Sequence, residues 1–204
     1  MRLLTNSDGS PIYQDSGEWH YAKMYRFSAS KIASLIYDGK TKRSADKVEN
    51  YISEKAFSRL LEMPIYKPTF VAMQRGKMLE PEARLEFLRQ YKIVPDDWTI
   101  AQIDEAFNVG KCYIDDECEI HLISPDWYNG GNEHLFDGVR FGTEFKTAET
   151  AYKYSMFCQK VKDASTLKEF DSTYYWQVMD ALMCSGASYW WFAYYLPEMQ
   201  SRVS

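Results

Sequence analysis

The segment Gly142-Thr143-Glu144-Phe145-Lys146 constrains the fold more than any other part of the chain. Side chains alternate across a β-strand, so Glu144 and Lys146 point to the same side, about 6.6 Å apart along it. Phe145 then points the other way, into the core. We expect Asp126 to arrive from the preceding strand. The pattern therefore predicts two carboxylates and one ammonium group converging at the edge of a sheet.

Helical and strand-like patterns alternate through the rest of the chain. Helical periodicity or caps predict helices at 28–39, 51–61, 78–91, 151–161 and 172–184. Strand patterns predict a hairpin within 107–123 and strands at 143–147 and 189–195. Residues 1–18 are polar and turn-rich and are predicted to be irregular, and a basic loop is predicted at 40–47. We expect one α/β (α+β) domain spanning residues 1–204.

Composition excludes several classes of protein. No apolar run approaches the roughly 20 residues needed to span a bilayer, and the N-terminus lacks a secretory signal, so we expect no membrane association and a cytoplasmic location. The absence of CxxC pairs and of HxH or HxxxH spacing argues against disulfide frameworks and zinc fingers. The net charge of -5 argues against a uniformly basic surface that coats nucleic acid, but is compatible with a locally basic groove.

The helix predicted at 78–91 carries a carboxylate on the side that should face the core. At about 100° per residue, Glu80, Ala83, Phe87 and Tyr91 lie along one stripe. An inward-facing Glu needs a functional or structural reason. Pro81 is expected in the first turn of this helix, where its missing N–H is not needed.

The predicted charges suit phosphodiester hydrolysis. This reaction needs a hard, oxygen-ligated cation, which carboxylates such as Asp126 and Glu144 can hold. It also needs a positive charge near the nucleophile or the phosphoryl oxygens, which Lys146 can provide. On the tripeptide alone, a surface ion pair between Glu144 and Lys146 remains an alternative.

The ordered motifs of the chain resemble a known family of nucleases. They are Gly76-x-x-x-Glu80, Ser124-Pro125-Asp126, Glu144-Phe145-Lys146 and Gln177. In this order they resemble the lambda-exonuclease or YqaJ-type viral recombinases of the PD-(D/E)xK nuclease superfamily. The resemblance extends from Trp19 to Pro197 and implies a restriction-endonuclease-like core, a central mixed β-sheet flanked by helices.

The resemblance implies a role for each matching residue. Asp126 and Glu144 would ligate Mg²⁺, for which Mn²⁺ can substitute, together with the backbone carbonyl of Phe145. Lys146 would orient or activate the attacking water. Glu80 would hold the outer part of the metal site. Gln177 would position the site from a neighbouring helix. No nucleotide or iron-sulfur cofactor is expected, since the cysteines are scattered.

The resemblance also implies the substrate. The family's exonucleases degrade one strand of duplex DNA 5′ to 3′ from a phosphorylated end, leaving a 3′ single strand for recombination. Lys23, Ser30 and Ser124 match their phosphate pocket, with Lys23 replacing the usual Arg and losing its bidentate fork. Ser30 can equally be a helix cap. Lys40 and Met73 match positions that grip and open the duplex end.

Assembly and alternatives follow from the same resemblance. It implies a homotrimeric ring, a single-strand annealing partner and a phage or prophage origin within a bacterial host. The interval of 18 residues between Asp126 and Glu144 is longer than the family's compact hairpin, so Asp137 is an alternative to Asp126. Another PD-(D/E)xK endonuclease or exonuclease, or a non-catalytic DNA-binding module with the same fold, also remains open.

Overall fold

A computed structural model of the protein describes residues 1–36, 41–64, 71–197 and 202–203. These residues form two compact units, each built from three separate stretches of chain. Unit 1 comprises Met1–Lys67, Gly110–Pro125 and Ser172–Gly186, and unit 2 comprises Pro68–Val109, Asp126–Asp171 and Ala187–Ser204. The single-domain organisation remains a prediction. None of the described helices is both long enough and apolar enough to cross a bilayer.

The secondary structure alternates between helices and short strands. The strands, in chain order, are β1 (Arg2–Leu3), β2 (Phe27–Ser28), β3 (Tyr113–Ile114), β4 (His121–Ile123), β5 (Trp127–Tyr128), β6 (Phe141–Thr147), β7 (Tyr189–Tyr195) and β8 (Arg202–Val203). The α-helices are α1 (Gly17–Met24), α2 (Lys42–Leu61), α3 (Val71–Tyr91), α4 (Ile100–Ala106), α5 (Ala151–Lys160), α6 (Ala164–Phe170) and α7 (Ser172–Ser185). Two 3₁₀ helices, Ala29–Ser34 and Glu133–Phe136, complete the described elements.

Unit 1 contains a mixed sheet with the strand order β1-β3-β4-β2. The predicted hairpin is present, because β3 and β4 pair antiparallel, with Tyr113 opposite Ile123. β2 runs parallel to β4. The 3₁₀ helix Ala29–Ser34 follows β2 and packs against α7.

The prediction of an irregular N-terminus is wrong in two places. Arg2 and Leu3 pair with β3, an interaction too distant in sequence to be read from local pattern. Helix α1 starts at Gly17, within the predicted irregular segment, because the Ser16 side chain accepts a hydrogen bond from the backbone N–H of Trp19 at 3.1 Å.

Two helix starts in unit 1 also differ from prediction. The segment after Ser28 is a 3₁₀ helix with no side-chain cap bond. Ser28 is held in β2, and its backbone N–H donates to the Tyr51 hydroxyl, so it stays extended. The predicted basic loop is wrong beyond residue 41, because the Thr41 side chain caps α2, which begins at Lys42. Positions 37–40 lie outside the described residues.

Unit 2 contains a second mixed sheet with the strand order β5-β6-β7-β8. β6 pairs antiparallel with β5 and parallel with β7, and β8 pairs antiparallel with β7. Helix α3 packs against β6, and the Phe87 ring lies 5.7 Å from both the Phe145 and Trp191 rings. The aromatic residues of β7 therefore serve mainly as core and sheet-face packing.

Helix α3 is longer than predicted and contains Pro81 in its interior. Its first half is rich in good helix formers, including Ala72, Gln74 and Leu79, so the residues from Val71 onward are already helical. Proline has no backbone N–H, so one carbonyl of the preceding turn has no donor within the helix. Pro81 is exposed, so water can donate a hydrogen bond to that carbonyl. The placement of Pro81 in a first turn was therefore wrong.

Candidate active site

Strands β5 and β6 position two carboxylates of unit 2, those of Asp126 and Glu144. The two strands are antiparallel, with Trp127 opposite Thr143. Continuing this register by one pair brings Asp126 opposite Glu144. Two carboxylates from adjacent strands therefore become close neighbours at the point where β5 begins.

Hydrogen bonds fix the orientation of these side chains. Oδ2 of Asp126 accepts a hydrogen bond from the backbone N–H of Phe145 at 2.7 Å, and the ammonium of Lys146 donates to Oε1 of Glu144. The Phe145 ring packs 5.4 Å from the Trp127 ring, on the opposite side of β6. The alternation predicted for this strand is therefore present, and Glu144 and Lys146 lie together.

The geometry favours Asp126 over Asp137 as the partner of Glu144. Asp137 is exposed and follows the 3₁₀ helix Glu133–Phe136 in a left-handed conformation, with a φ of 53°. The fully buried side chain of Asn129 donates to the Val139 carbonyl and accepts from the N–H of Phe141. These bonds fold the additional residues between β5 and β6 into a loop, so the pairing of the two strands is preserved.

Burial makes the two carboxylates costly to ionise. Glu144 is only 4% exposed, and its burial, followed by the charge of Asp126, raises its pKa to about 8 despite the nearby Lys146. Burial also raises the pKa of Asp126, opposed by Lys146, by the N–H of Phe145 and by Arg84. The pair therefore carries an electrostatic cost that a bound cation can relieve.

Helix α3 contributes further charges to this site. Glu80 adds to the rise in the pKa of Glu144, which is consistent with the core-facing stripe predicted for this helix. Arg84 lies one turn later, and its charge acts on Asp126. Its Nη1 lies 3.8 Å from Oδ1 of Asp104, and its side chain is only 13% exposed. Arg84 is not among the residues predicted from the sequence, although its i+4 spacing from Glu80 is a usable signal.

Two of the predicted phosphate-pocket residues, Lys23 and Ser124, both contact Trp19 in unit 1. The Trp19 indole N–H donates to Oγ of Ser124 at 3.0 Å, and Nζ of Lys23 lies 4.1 Å from the centroid of the same ring system. Burial, followed by the charge of Lys31, lowers the pKa of Lys23. Two ammonium groups therefore lie near a hydroxyl, which suits an anion, and the carboxylates of Asp15 and Glu54 also act on Lys23. Trp19 and Lys31 were not predicted as site residues.

The other predicted residues that the structure describes lie on three separate elements. Ser30 is exposed, and its Oγ lies 3.4 Å from that of Ser28. Gln177 is partly exposed on α7 in unit 1, and Met73 is 54% exposed in the first turn of α3. Lys40 lies outside the described residues.

Comparison with known proteins identifies relatives of the chain. The family profile of the YqaJ-like viral recombinase domain matches residues 18–188. A crystal structure of an alkaline exonuclease (LHK-Exo) from Laribacter hongkongensis matches with a TM-score of 0.66 and 20% identity, covering 93% of this chain and 80% of that chain. Its complex with dAMP matches with a TM-score of 0.64 and 18% identity over the same shares. No curated protein sequence matches.

These comparisons confirm two predictions from the sequence. The family match confirms the resemblance to YqaJ-type viral recombinases. The structural likeness confirms the predicted mixed α/β fold, and at these identities it establishes the fold alone.

Proposed function

Because the chain belongs to the YqaJ-like viral recombinase domain family, we propose that it is a divalent-metal-dependent exonuclease that resects double-stranded DNA from 5′ ends. The observation that carries this proposal is the register of β5 and β6, which brings Asp126 opposite Glu144 with Lys146 alongside. Resection 5′ to 3′ leaves a 3′ single strand, the substrate of recombination. The polarity is taken from the resemblance.

The residues of unit 2 fit a hard divalent cation. Two buried carboxylates with raised pKa values are stabilised by a positive charge between them, and oxygen ligands favour Mg²⁺ or Mn²⁺. Asp126 and Glu144 would hold the ion with the carbonyl of Phe145, and Glu80 would hold its outer waters. When bound, the cation neutralises charge on the scissile phosphate and lowers the pKa of water.

Each protein group then has a defined task. The N–H of Phe145 holds Oδ2 of Asp126 and leaves Oδ1 as a ligand atom. Lys146 can direct its remaining ammonium protons to the attacking water or to a phosphate oxygen. Arg84, whose charge already acts on Asp126, adds a second positive charge that favours the phosphate. A positioning role for Gln177 is taken from the resemblance.

The Trp19 cluster of unit 1, formed by Trp19, Lys23, Lys31 and Ser124, is our candidate for the 5′-phosphate pocket, with Ser30 as a further hydroxyl. Lys23 and Lys31 supply charge, and Ser124 is held in place by the Trp19 indole. The ammonium group of Lys23 is a point charge and lacks the planar, bidentate geometry of an Arg guanidinium. We therefore expect a weaker preference for phosphorylated ends than an Arg-containing pocket would give.

Lys40 and Met73 would grip and open the duplex end. The trimeric ring and the annealing partner are proposed from the family alone.

Digestion of linear duplex DNA tests the proposal. Strands labelled at the 5′ or 3′ end, with and without a 5′-phosphate, are incubated with the protein in Mg²⁺ or in EDTA. We expect 5′-terminal nucleotides to be released first, faster from phosphorylated ends, and no cutting in EDTA. Rapid cutting of covalently closed circles would instead indicate an endonuclease.

The matched variants are Asp126→Asn and Asp137→Asn. Removal of a metal ligand is expected to lower the rate by at least about 100-fold, while the exposed control keeps the wild-type rate. Circular dichroism verifies that both variants fold. Full activity of Asp126→Asn, with loss in Asp137→Asn, would reassign the metal site.

A further inference from the structure

A second group of ligand-type side chains lies in unit 1, where the β3–β4 hairpin meets α7. Asp115 follows β3, His121 begins β4, and Cys184 lies in the last turn of α7. Each offers one ligand atom, and these atoms all lie within 4.8 Å of one another. Sγ of Cys184 lies 3.1 Å from Nδ1 of His121. A carboxylate, an imidazole and a thiol from three separate elements therefore converge.

The second nitrogen of His121 faces a buried carboxylate. Its Nε2 lies 2.9 Å from Oδ2 of Asp180, which is 6% exposed and one helical turn before Cys184, although the N–H does not point squarely at the oxygen. A proton on Nε2 leaves the lone pair of Nδ1 directed to the side where Cys184 and Asp115 lie. A carboxylate behind a histidine in this way orients metal-binding imidazoles and raises their basicity.

The carboxylate of Asp115 is also fixed in place. Its Oδ1 accepts hydrogen bonds from the backbone N–H groups of Glu117 and Cys118, at 2.8 and 2.9 Å. These bonds, with that of Cys118 the largest cause, lower the pKa of Asp115. A charged carboxylate is therefore held beside Cys184 before any cation binds.

The charges around Cys184 argue against a nucleophilic cysteine. Reactive thiols have a lowered pKa. Burial, followed by the charge of Asp180 and a hydrogen bond with Asp115, instead raises the pKa of Cys184. A cation reverses this balance, because the same carboxylates that disfavour an isolated thiolate favour a thiolate bound to a metal.

We propose that Asp115, His121 and Cys184 bind a zinc ion that ties the β3–β4 hairpin to α7, with Asp180 orienting His121. Thiolate and imidazole ligands select Zn²⁺ over Mg²⁺, which prefers oxygen. This site would therefore prefer a different metal from the proposed Mg²⁺ site at Asp126 and Glu144. Cys184 lies 63 residues after His121, so no short motif marks the site in the sequence.

Cobalt substitution tests this proposal on the full chain. Protein stripped with a chelator is titrated with Co²⁺ in the presence of excess Mg²⁺, and absorption is followed. We expect a thiolate-to-cobalt charge-transfer band that saturates at one equivalent and is removed by Zn²⁺. Absence of the band overturns the proposal.

Variants assign the ligands and separate this site from the proposed nuclease centre. Cys184→Ser should abolish the band, and Asp115→Asn and Asp180→Asn should each weaken Co²⁺ binding by about 10- to 100-fold. Cys158→Ser, a thiol in unit 2, and Glu144→Gln should both retain it. Persistence in Cys184→Ser, or loss in either control, overturns the assignment.

Thermal unfolding separates metal binding from a general loss of fold. Zn²⁺ should raise the melting temperature of the wild type and of Cys158→Ser, and raise that of the partly exposed Asp115→Asn variant less. The proposal is overturned if Asp115→Asn melts at the same temperature as the wild type without metal and Zn²⁺ raises both melting temperatures equally.

Discussion

At the scale of single residues, Glu144 shows how a buried carboxylate couples folding to metal binding. The side chain has little access to water, and Asp126 is its neighbour across β5 and β6. Lys146 offsets only part of this cost, since the pKa of Glu144 remains raised. Protonation or a bound cation are the two ways to relieve it.

This coupling predicts a pH-dependent response to Mg²⁺. The folded pKa of Glu144, about 8, exceeds its unfolded value of 4.5, so the metal-free folded state binds more protons between these values. Its stability should therefore fall as pH rises through this window. Mg²⁺ binds the deprotonated form, so the rise in melting temperature that Mg²⁺ causes should grow over the same window.

Melting temperatures measured with and without Mg²⁺ across this range check the prediction. Glu144→Gln, which cannot titrate at this position, is the matched control and should show a much smaller change with pH. A stabilisation by Mg²⁺ that is constant with pH in the wild type would contradict the linkage.

At the scale of elements, the parallel pairing of β6 and β7 depends on Gly142. A Cβ atom at Gly142 would lie 2.4 Å from the ring of Trp190, its register partner on β7. The Trp190 ring also stacks on Tyr128 of β5, at 6.0 Å between centroids. The strand that carries Glu144 therefore has little room for a side chain at this position.

Gly142→Ala should destabilise the protein by about 1–3 kcal/mol, because the added methyl group forces Trp190 to move within a packed sheet. Gly76→Ala is the matched control. Gly76 lies in α3, and its added Cβ would meet no described atom within 4 Å apart from its chain neighbours and its own helix backbone, so alanine there should be neutral or stabilising by up to about 1 kcal/mol. Urea unfolding of both variants checks the pair, and equal midpoints would contradict the packing argument.

For the molecule as a whole, the negative net charge contrasts with positive charges at particular places on the chain. The net charge is -5, yet Lys23 and Lys31 lie close enough to influence each other in unit 1. In unit 2, Arg84 and Lys146 both act on Asp126. Local cations of this kind can bind phosphates even when the total charge is negative.

DNA cutting should therefore fall steeply with added salt, because each phosphate contact releases counterions. At DNA concentrations below saturation, we expect the rate to drop by at least about tenfold between roughly 50 and roughly 200 mM salt. Unfolding midpoints over the same range verify that the fold persists. A rate that is independent of salt would show that phosphate contacts do not limit binding.

Elements that depend on short-range rules could be predicted from the amino-acid sequence. The limits of β7 match the prediction, and β6 begins two residues earlier than predicted. Both were predictable because the aromatic run of β7 and the alternation of β6 are local patterns of a few residues. Helix α7 ends beside Gly186, whose φ of 60° suits glycine. The order of the motifs was sufficient to identify the family.

Features that depend on contacts between distant segments could not be predicted in this way, because they arise only when the chain packs. The strand register places Asp126 opposite Glu144, and α3, which packs on β6, carries Arg84, whose charge acts on Asp126. The meeting of His121 and Cys184 likewise arises only when the β3–β4 hairpin lies against α7. Local patterns specify which face of an element is apolar, but the energy of packing selects which elements meet.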